Sequence, residues 1–469
     1  MAQQTLGPSN FSDPGKRGRG RFPWPPTVLL IALLFGCRGE NNPTLPSLPA
    51  DVVNISKDAT TSIAPAAAAS GDRIYVAWVD QGNAQNFDIF VSRSTDGGTV
   101  FDPPLNISQS SDSSLNPRVA LSGSALYIVW EEFISEKNES DILFRKGEDQ
   151  GGTWVWTPPL AEPGKNLSPS AAPCKDDSKP ATPAPCPSQF PDIAADGDRV
   201  FVAWAEENHY IIAPIAPGQT ATDFKILNSD IEMAVSSDGG ASFTAPLNVS
   251  GPKTGAICGV GRTETASLNP ALAAANGQLY LSWEDCIKPN AKILFRKFSQ
   301  LGVAPPSQEA VSISDPVKNA SKPALSAEGD QVYAAWEEFF ISEPAPDQFC
   351  STTDVLFITS AQQGNDFSAA GGPAAVNLSN TPCGFNAGSA KLAASGPFAY
   401  AAWQDNIPNR VGLSLRRSGD RGATFGAREN LSQTSGSAGN PALAAFNGLL
   451  NAFWEDSTLG NLEILFARR

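Results

Sequence analysis

The chain has 469 residues, with 33 Lys and Arg against 48 Asp and Glu, and a net charge of −15 at pH 7. This acidity excludes the basic surface that nucleic-acid binding requires, because a phosphate backbone would be repelled. The chain is rich in Gly (40) and Pro (39) and has no long segment with a helical apolar period, so we predict an all-β fold.

The N-terminal segment indicates export. A basic stretch at 16–21 precedes an apolar run at 28–35, which is too short to span a bilayer as a helix but is typical of a signal peptide. Gly36 followed by Cys37 resembles the lipobox of bacterial lipoproteins, which implies cleavage before Cys37 and diacylation of its thiol. An ordinary signal peptide with an unused cysteine is the alternative. We therefore predict a signal peptide at 1–36, a lipid-anchored Pro-rich tether at 37–51 and a domain at 52–469.

This export signal sets the expected location. We predict an extracytoplasmic protein held at the cell envelope by its lipid, on the outer membrane in a Gram-negative cell. The membrane contact is expected through the anchor alone, and the domain is expected to be a monomer.

A short strand with the pattern Tyr-x-x-Trp-x-acid recurs along the domain. The seven tryptophans are Trp78, Trp130, Trp204, Trp283, Trp336, Trp403 and Trp454. Before each one lies a strand that often follows a proline, and a tight turn joins the two. After each one come a third strand and a fourth strand, the latter usually ending in Asn-x-Ser. Four antiparallel strands in seven repeats predict a seven-bladed β-propeller.

The two ends of the repeat region complement each other. The last repeat stops after its third strand, whereas Val52–Ser56 reads as a fourth strand without a repeat of its own. We predict that this N-terminal strand completes the last blade, since closure removes exposed sheet edges. The Asn-x-Ser tripeptides match a glycosylation sequon, but their fixed place in the repeat favours a structural role.

The turn between the third and fourth strands carries a second motif, Ser-x-Asp-x-Gly-x-x-Phe. An Asp can accept turn amides, Gly permits a positive φ, and the aromatic ring packs back between sheets. The second repeat has Gly147 in place of the serine. The motif residues are Ser94, Asp96, Gly98 and Phe101; Asp149, Gly151 and Trp154; Ser236, Asp238, Gly240 and Phe243; and Ser418, Asp420, Gly422 and Phe425.

These turns, in register with the Trp strands, resemble the Asp-boxes (BNR repeats) of the sialidase-like superfamily. The resemblance covers residues 52–469. In that superfamily the Asp-boxes are structural, so the resemblance implies a propeller scaffold and assigns the boxes no role in an active site.

Loop lengths distinguish the two ends of the expected propeller. The first-to-second and third-to-fourth turns are short and share one end, the short-turn end. The second-to-third and fourth-to-first connections are long and varied and share the other, the long-loop end, where binding sites usually lie. Six cysteines fall there, and an even number in an exported chain indicates disulfides. Their placement suggests the pairs Cys174–Cys186, Cys258–Cys286 and Cys350–Cys383, although other pairings stay open.

Candidate ligand-binding residues lie at the long-loop end. An acid stands two residues after each Trp, and its repetition in every unit favours a strand-capping role over a ligand role. The candidates among these acids are Glu132, Glu206, Asp285, Glu338, Asp405 and Asp456. Residues that break the repeat add Asn208, His209 and Lys391 to the binding candidates, and Arg118, Glu207, Tyr210, Arg262 and Arg410 as weak catalytic candidates. For each of these, a solvated loop residue is the alternative.

The superfamily resemblance makes a sialidase the natural enzyme hypothesis. Such enzymes need three arginines for the substrate carboxylate, a Tyr nucleophile and an Asp acid/base. No Phe/Tyr-Arg-Ile-Pro motif occurs here, and five of the six tyrosines occupy the repeated strand position. Sialidases also have one blade fewer than we count. We therefore assign no catalytic residue, and with a single His and no CxxC spacing we predict no metal and no cofactor.

The sequence thus favours a binding protein. We predict recognition of a glycan or a cell-surface protein through the long-loop end. The alternatives are a sialidase-like glycoside hydrolase with a non-standard catalytic set, and an envelope protein with a structural role.

Overall fold

The computed structural model describes residues 47–81, 86–136, 139–169, 175–176, 187–212, 225–251, 265–287, 290–298, 309–345, 348–367, 372–407 and 410–469. The regular structure in these ranges consists of thirty β-strands, which confirms the predicted all-β class. No helix that could cross a membrane occurs in them.

The strands are numbered along the chain: β1 (Val53–Asn54), β2 (Ser62–Ser70), β3 (Arg73–Asp80), β4 (Asp88–Ser94), β5 (Leu105–Asn106), β6 (Ser114–Ser122), β7 (Ala125–Ile134), β8 (Glu139–Gln150), β9 (Thr153–Thr157), β10 (Lys165–Asn166), β11 (Lys175–Asp176), β12 (Ser188–Asp196), β13 (Arg199–Ile212), β14 (Lys225–Ser236), β15 (Leu247–Asn248), β16 (Thr265–Ala275), β17 (Gln278–Ile287), β18 (Asn290–Phe298), β19 (Val311–Ser312), β20 (Asn319–Glu328), β21 (Gln331–Ala345), β22 (Gln348–Ser360), β23 (Val376–Asn377), β24 (Asn386–Ser395), β25 (Phe398–Ile407), β26 (Arg410–Ser418), β27 (Glu429–Asn430), β28 (Ala438–Phe446), β29 (Leu449–Asp456) and β30 (Glu463–Arg468).

Antiparallel pairing groups these strands into units of a first, second, third and fourth strand. Each second strand contains the repeated Trp, and each fourth strand is two residues long and ends where the sequence predicted. The last unit takes its fourth strand from the N-terminal side, because Val53 pairs with Phe466 and Asn54 with Leu465. The units are β2–β5; β6–β8 with β10; β12–β15; β16–β19; β20–β23; β24–β27; and β28–β30 with β1.

The hydrogen-bonded sheets are larger than these units in two places. Parallel bridges join β14 to β16 and β22 to β24, so the strands form five sheets of four, five, nine, four and eight strands. The hydrogen bonding therefore differs from the separate four-stranded sheets expected of a simple propeller. The cause is the length of β14 and β22, which extend at their N-terminal ends to the first strand of the next unit.

Two predicted long loops are extended strand pairs instead. The connection expected between Glu206 and Asp230 continues as β13 and β14, which pair as far as Ile212 with Lys225. The connection expected between Glu338 and Asp354 continues as β21 and β22 in the same way. Pairing satisfies backbone N–H and C=O groups that a loop would leave to water, which explains why these segments extend.

The second unit also differs from expectation at its third-to-fourth turn. The chain there forms a hairpin between β8 and β9, with Asp149 paired to Trp154 and Gly147 to Trp156. The rings of Trp154 and Trp156 stack with their centroids 4.9 Å apart. A Cβ on Gly147 would lie 2.7 Å from the Trp156 ring, so the glycine makes room for this stack.

The core consists of seven apolar clusters, and each of them lies between two successive units. One cluster joins Trp78 of the first unit to Phe453 and Phe466 of the last. The repeated tryptophans are fully buried in these clusters, with 0% of their surface exposed. The first strands contact one another in cyclic order: β2, β6, β12, β16, β20, β24, β28 and again β2.

Candidate functional site

A left-handed residue interrupts the first strand of every unit. Its φ lies between +43° and +53°, and in six of the seven units a proline follows it. The pairing register with the second strand shifts at this point, which makes it a β-bulge that redirects the next side chains. A non-glycine residue in this conformation costs on the order of 1–3 kcal/mol, so its surroundings must hold it. The seven residues are Ala64, Asn116, Phe190, Asn269, Lys322, Ser389 and Asn440.

Glutamates from the preceding unit hold three of these bulges. Glu337 accepts a hydrogen bond from the backbone N–H of Ser389 at 2.7 Å. Glu455 does the same for Ala64 at 3.1 Å, and Glu131 for Phe190 at 3.4 Å. Each glutamate directly follows a repeated Trp and is buried or nearly so. These bonds link successive units around the inner strands, including the last unit to the first.

The sequence reasoning missed these glutamates. Two of them also accept a side-chain amide from the bulge residue of their own unit, from Asn116 to Glu131 at 3.0 Å and from Asn440 to Glu455 at 2.8 Å. The available signal was an acid directly after the Trp in four of the seven repeats, three of which have Asn-Pro in the preceding strand.

Charged side chains meet in the central opening, by which we mean the space between the first strands. In every unit, the residue two positions after the bulge residue pairs with the residue directly before the Trp of the second strand. The seven residues at this position therefore lie at one level. This level lies at the middle of the first strands, between the long-loop end and the short-turn end. The seven residues are Ala66, Arg118, Asp192, Ala271, Ala324, Lys391 and Ala442.

The three charged residues at this level interact across units. Arg118 Nε lies 3.8 Å from Asp192 Oδ1 in the next unit, and its Nη1 donates to the carbonyl of Pro117 at 2.8 Å. Asp192 Oδ2 accepts the backbone N–H of Leu272 at 2.7 Å. The side chains of Arg118 and Asp192 keep 33% and 20% of their surface exposed, so the opening remains accessible at this level.

Burial between the strands shifts the pKa values of Lys391 and Asp192. It lowers the pKa of Lys391 from 10.5 to about 8, and the positive charge of Arg118 acts in the same direction. The negative charges of Asp192 and Glu337 act in the opposite direction but are weaker. Burial raises the pKa of Asp192, against the effects of Arg118 and the Leu272 N–H. Lys391 is therefore a lysine that loses its proton not far above neutral pH.

The acids two residues after each Trp are occupied within their own units. Six tryptophans donate their indole N–H to this acid at 2.8–3.1 Å. In the remaining unit Glu338 instead binds Lys318 Nζ at 2.7 Å. First-strand hydroxyls add further bonds, as in Ser114 to Glu132 and Ser188 to Glu206, both at 2.6 Å. This geometry matches the capping alternative, and a ligand role for Glu132, Glu206, Asp285, Glu338, Asp405 and Asp456 stays a prediction.

The other candidates do not join the central group in the described part of the chain. Glu207 donates its backbone N–H to the Pro187 carbonyl at 3.1 Å and has further interactions. The backbone of Asn208, His209 and Tyr210 lies in β13, with His209 opposite Lys175 of β11. Their side chains lie outside the described residues, as do the side chain of Arg410 and the whole of Arg262. The structure thus brings Arg118 and Lys391 together and adds Asp192.

The Ser-x-Asp-x-Gly turns form the short-turn end. In the turn at 418–425, Ser418 donates to Asp420 Oδ1 at 2.7 Å and accepts the Gly422 N–H at 2.8 Å. Asp420 Oδ1 in turn accepts the N–H of Thr424 at 2.9 Å. The turns at 94–101 and 236–243 repeat this network. The motif residues Phe101, Phe243 and Phe425, and Phe367 at the equivalent turn of the fifth unit, pack edge-on against a phenylalanine of the preceding unit, 4.9–5.1 Å away.

The Asn-x-Ser tripeptides bond to the acid that opens the third strand. Asn106 and Ser108 both donate to Asp88, at 2.8 and 2.7 Å. Ser108 also accepts the N–H of Ile89 at 2.9 Å, and the equivalent serines of five other units repeat this bond. The side chains therefore join the outer strands, in line with the structural role expected from their position.

A disulfide ties two units together at the long-loop end. Cys350 and Cys383 are bonded as predicted, with their Cα atoms 5.6 Å apart, and they connect β22 to the segment before β24. Cys286 is also disulfide-bonded. The partners predicted for the remaining pairs involve Cys174, Cys186 and Cys258, which lie outside the described residues, as does Cys37. Within the described part, no group of three or more His, Cys, Asp and Glu side chains is placed to bind a metal ion.

Solved structures with a similar fold include two kinds of sialidase and a lyase. A Trypanosoma rangeli sialidase mutant displaying trans-sialidase activity is 12% identical, with a TM-score of 0.45 over 90% of this chain and 59% of that chain. The phage phi92 endosialidase is 10% identical, with a TM-score of 0.49 over 89% and 68%. This chain thus spans about three fifths of the Trypanosoma sialidase.

An ulvan lyase of polysaccharide lyase family PL25, solved bound to GlcA(1-4)Rha3S, is similar over nearly the full length of both chains. It is 12% identical, with a TM-score of 0.53 over 88% of this chain and 95% of the lyase. No protein-family model and no curated protein matches the sequence. At this identity the likeness to the lyase concerns the fold alone: the chain shares its all-β fold with a polysaccharide lyase.

Proposed function

We propose that this chain is an exported, lipid-anchored β-propeller of seven blades that binds a glycan through its long-loop end. The blade count is supported by the repeated units, by the cyclic contacts of the first strands and by the apolar cluster between the first and last units. Pairing of β1 with β30 supports closure by the N-terminal strand.

The lipid anchor is proposed from Cys37 and the residues before it, by their resemblance to a lipobox. The test is incorporation of labelled palmitate in a bacterial host, with Cys37→Ser as the control. Labelling of the wild type, its loss in the variant, and recovery of the wild type with the membrane fraction are expected. An unlabelled, soluble wild type would contradict the anchor and would leave an ordinary signal peptide.

The proposal of glycan binding rests on exposed aromatic rings at the long-loop end and on charged groups in the central opening. Four phenylalanines in the described part are exposed, and three of them, Phe133, Phe339 and Phe349, lie at the long-loop end. Phe349 is the most exposed of these, at 76%. The partly exposed Arg118 and Lys391 lie in the central opening, at the middle of the first strands. Sugars present apolar ring faces beside polar groups, so rings and convergent polar side chains suit them.

The fold comparison points to the class of glycan to test first. The lyase is bound to GlcA(1-4)Rha3S, which carries a carboxylate and a sulfate. An acidic saccharide is also the kind of ligand that a guanidinium and an ammonium group would bind.

The test is affinity electrophoresis of the full chain, purified in mild detergent, through gels containing uronate-rich, sulfated, sialylated or neutral polysaccharides. We expect retardation by at least one acidic polysaccharide. Phe349→Ala should weaken it by about fivefold, the effect of one lost aromatic contact of about 1 kcal/mol. Phe398→Ala is the matched control, because this phenylalanine is exposed at the short-turn end.

Migration unaffected by every polysaccharide would refute the proposed function. The same polysaccharides and a fluorogenic sialoside, incubated with the protein, show whether binding leads to cleavage. Release above a heat-treated control would make the protein an enzyme, in place of the binding protein proposed here.

A further inference from the structure

The charges in the central opening are not needed to build it. At the level of Arg118, Asp192 and Lys391, the other four units have alanine, and the same bulge forms in all seven. Burial of a charge is unfavourable, so charged residues at a position where alanine suffices are typical of a function other than stability.

Two of these charges are poorly satisfied within the protein. Lys391 makes no hydrogen bond or ion pair with any described residue, and it is more strongly affected by the positive charge of Arg118 than by either nearby acid. Arg118 pairs with the carboxylate of Asp192 at 3.8 Å, and this carboxylate already accepts the Leu272 N–H. Two cations therefore share this level with a single acid, Asp192, which leaves one positive charge in excess.

The glutamates around the opening make no hydrogen bond or ion pair with Arg118 or Lys391 in the described part of the chain. Glu337 is engaged by Lys322 at 3.3 Å and by the Ser389 N–H. Glu131 is engaged by the Asn116 amide and the Phe190 N–H, and burial raises its pKa. Their bonds fix them to the walls of the opening, so they leave Arg118 and Lys391 available.

We propose that Arg118 and Lys391 together form a subsite for one oxyanion, the carboxylate or sulfate group of an acidic sugar, in the central opening. The guanidinium offers a planar pair of N–H donors that matches such a group, and the ammonium adds a point charge from the opposite side of the ring of strands. Asp192 is a positioning residue that orients Arg118. The subsite rests on the proposed function in that it takes the ligand to be a glycan, and it specifies the acidic class.

The test uses small probes in place of the polysaccharide. Binding of sodium sulfate, sodium D-glucuronate and neutral D-glucose to the full chain is measured by calorimetry and by the shift in Tm, at constant ionic strength. We expect saturable binding of sulfate or glucuronate and none of glucose. Arg118→Ala and Lys391→Ala should each weaken it by about tenfold, as expected for one charge-assisted hydrogen bond.

Two controls make this result specific. The alanine variants place at each site the residue that four other units already have there, so folding should be retained, and circular dichroism checks it. Arg417→Gln removes a positive charge at the short-turn end, where Arg417 pairs with Glu429 at 3.0 Å, and should leave binding unchanged.

The outcomes separate this inference from the proposed function. The subsite would be overturned if folded Lys391→Ala and Arg118→Ala bound both anions as tightly as the wild type does. It would also be overturned if the wild type bound neither anion. Retardation by an acidic polysaccharide that these variants do not weaken would overturn the subsite and leave glycan binding intact. If the wild type binds an anion, the variants do not, and no polysaccharide retards the wild type, the subsite is supported and glycan binding is refuted. A preference for sulfate or for glucuronate identifies the acidic group.

Discussion

Replacement of Lys391 by alanine is expected to stabilise the folded protein. The pKa of this lysine falls from 10.5 to about 8 on folding, because burial and Arg118 disfavour its charged form. A difference of this size corresponds to about 3 kcal/mol at 25 °C. Since part of the surrounding opening is exposed, solvent reduces the effect, and we expect a gain of about 1–3 kcal/mol at pH 7.

The gain in stability of Lys391→Ala over the wild type should decrease as the pH rises. Between pH 8 and 10.5 the unfolded chain keeps the Lys391 proton while the folded protein loses it. The stability of the wild type therefore rises with pH in this window, relative to the variant. The difference between variant and wild type should be full below about pH 8 and close to zero above pH 10.5.

Urea denaturation of both proteins at pH 7 and at the alkaline end of this window measures the effect, in a chloride buffer without sulfate, phosphate or carboxylate. Lys322→Ala is the contrasting variant, because this lysine is paired with Glu337 and should yield no gain. A variant that is less stable than wild type at pH 7 by about 1 kcal/mol or more would refute the reasoning. It would mean that the protein itself satisfies the Lys391 charge.

Three further predictions concern individual bonds that stabilise the fold. Glu337→Ala should lower the free energy of unfolding by about 1–3 kcal/mol, because it leaves the Ser389 N–H without its acceptor, and Glu337→Gln should cost less; equal urea midpoints for both variants and wild type would contradict this. Replacing both Cys350 and Cys383 by serine should cost about 2–4 kcal/mol, since the bond closes a loop with a sequence separation of 33; an unchanged Tm would argue against it. Hydrogen bonds lower the pKa of Asp420 to about 2, so its contribution to stability is present above 3.8 and lost as the pH falls through 2; Asp420→Asn should flatten acid unfolding in that range, and identical acid titrations would speak against it.

Much of the scaffold could be predicted because it is encoded in local patterns that repeat. The Trp strands, the two-residue fourth strands and the pairing of Val53–Asn54 with β30 follow from a motif whose spacing marks each element. The Ser-x-Asp-x-Gly turns are largely local as well, since the bonds of their Ser and Asp side chains join residues within four positions of one another. The all-β class was predicted from composition and the repeat, and the Cys350–Cys383 bond from the placement of the cysteines in the connections of neighbouring units.

The predictions that failed concern segments whose partners lie elsewhere in the chain. The extensions of β13–β14 and β21–β22 were taken for loops, because their sequences lack the repeated motif and their hydrogen bonds are made only across the strand pair. The hairpin β8–β9 replaced a turn because two tryptophans stack over Gly147, a contact that no local motif marks.

The sequence by itself determined the repeating unit, since each unit is specified by residues close together in the chain. The central opening was decided by the tertiary structure alone. Arg118, Asp192 and Lys391 are far apart in sequence, and each occupies a strand position where alanine is equally compatible with the fold. Only the circular arrangement of the first strands brings their side chains to one level, and Coulomb interactions act on distance in space and are indifferent to distance along the chain.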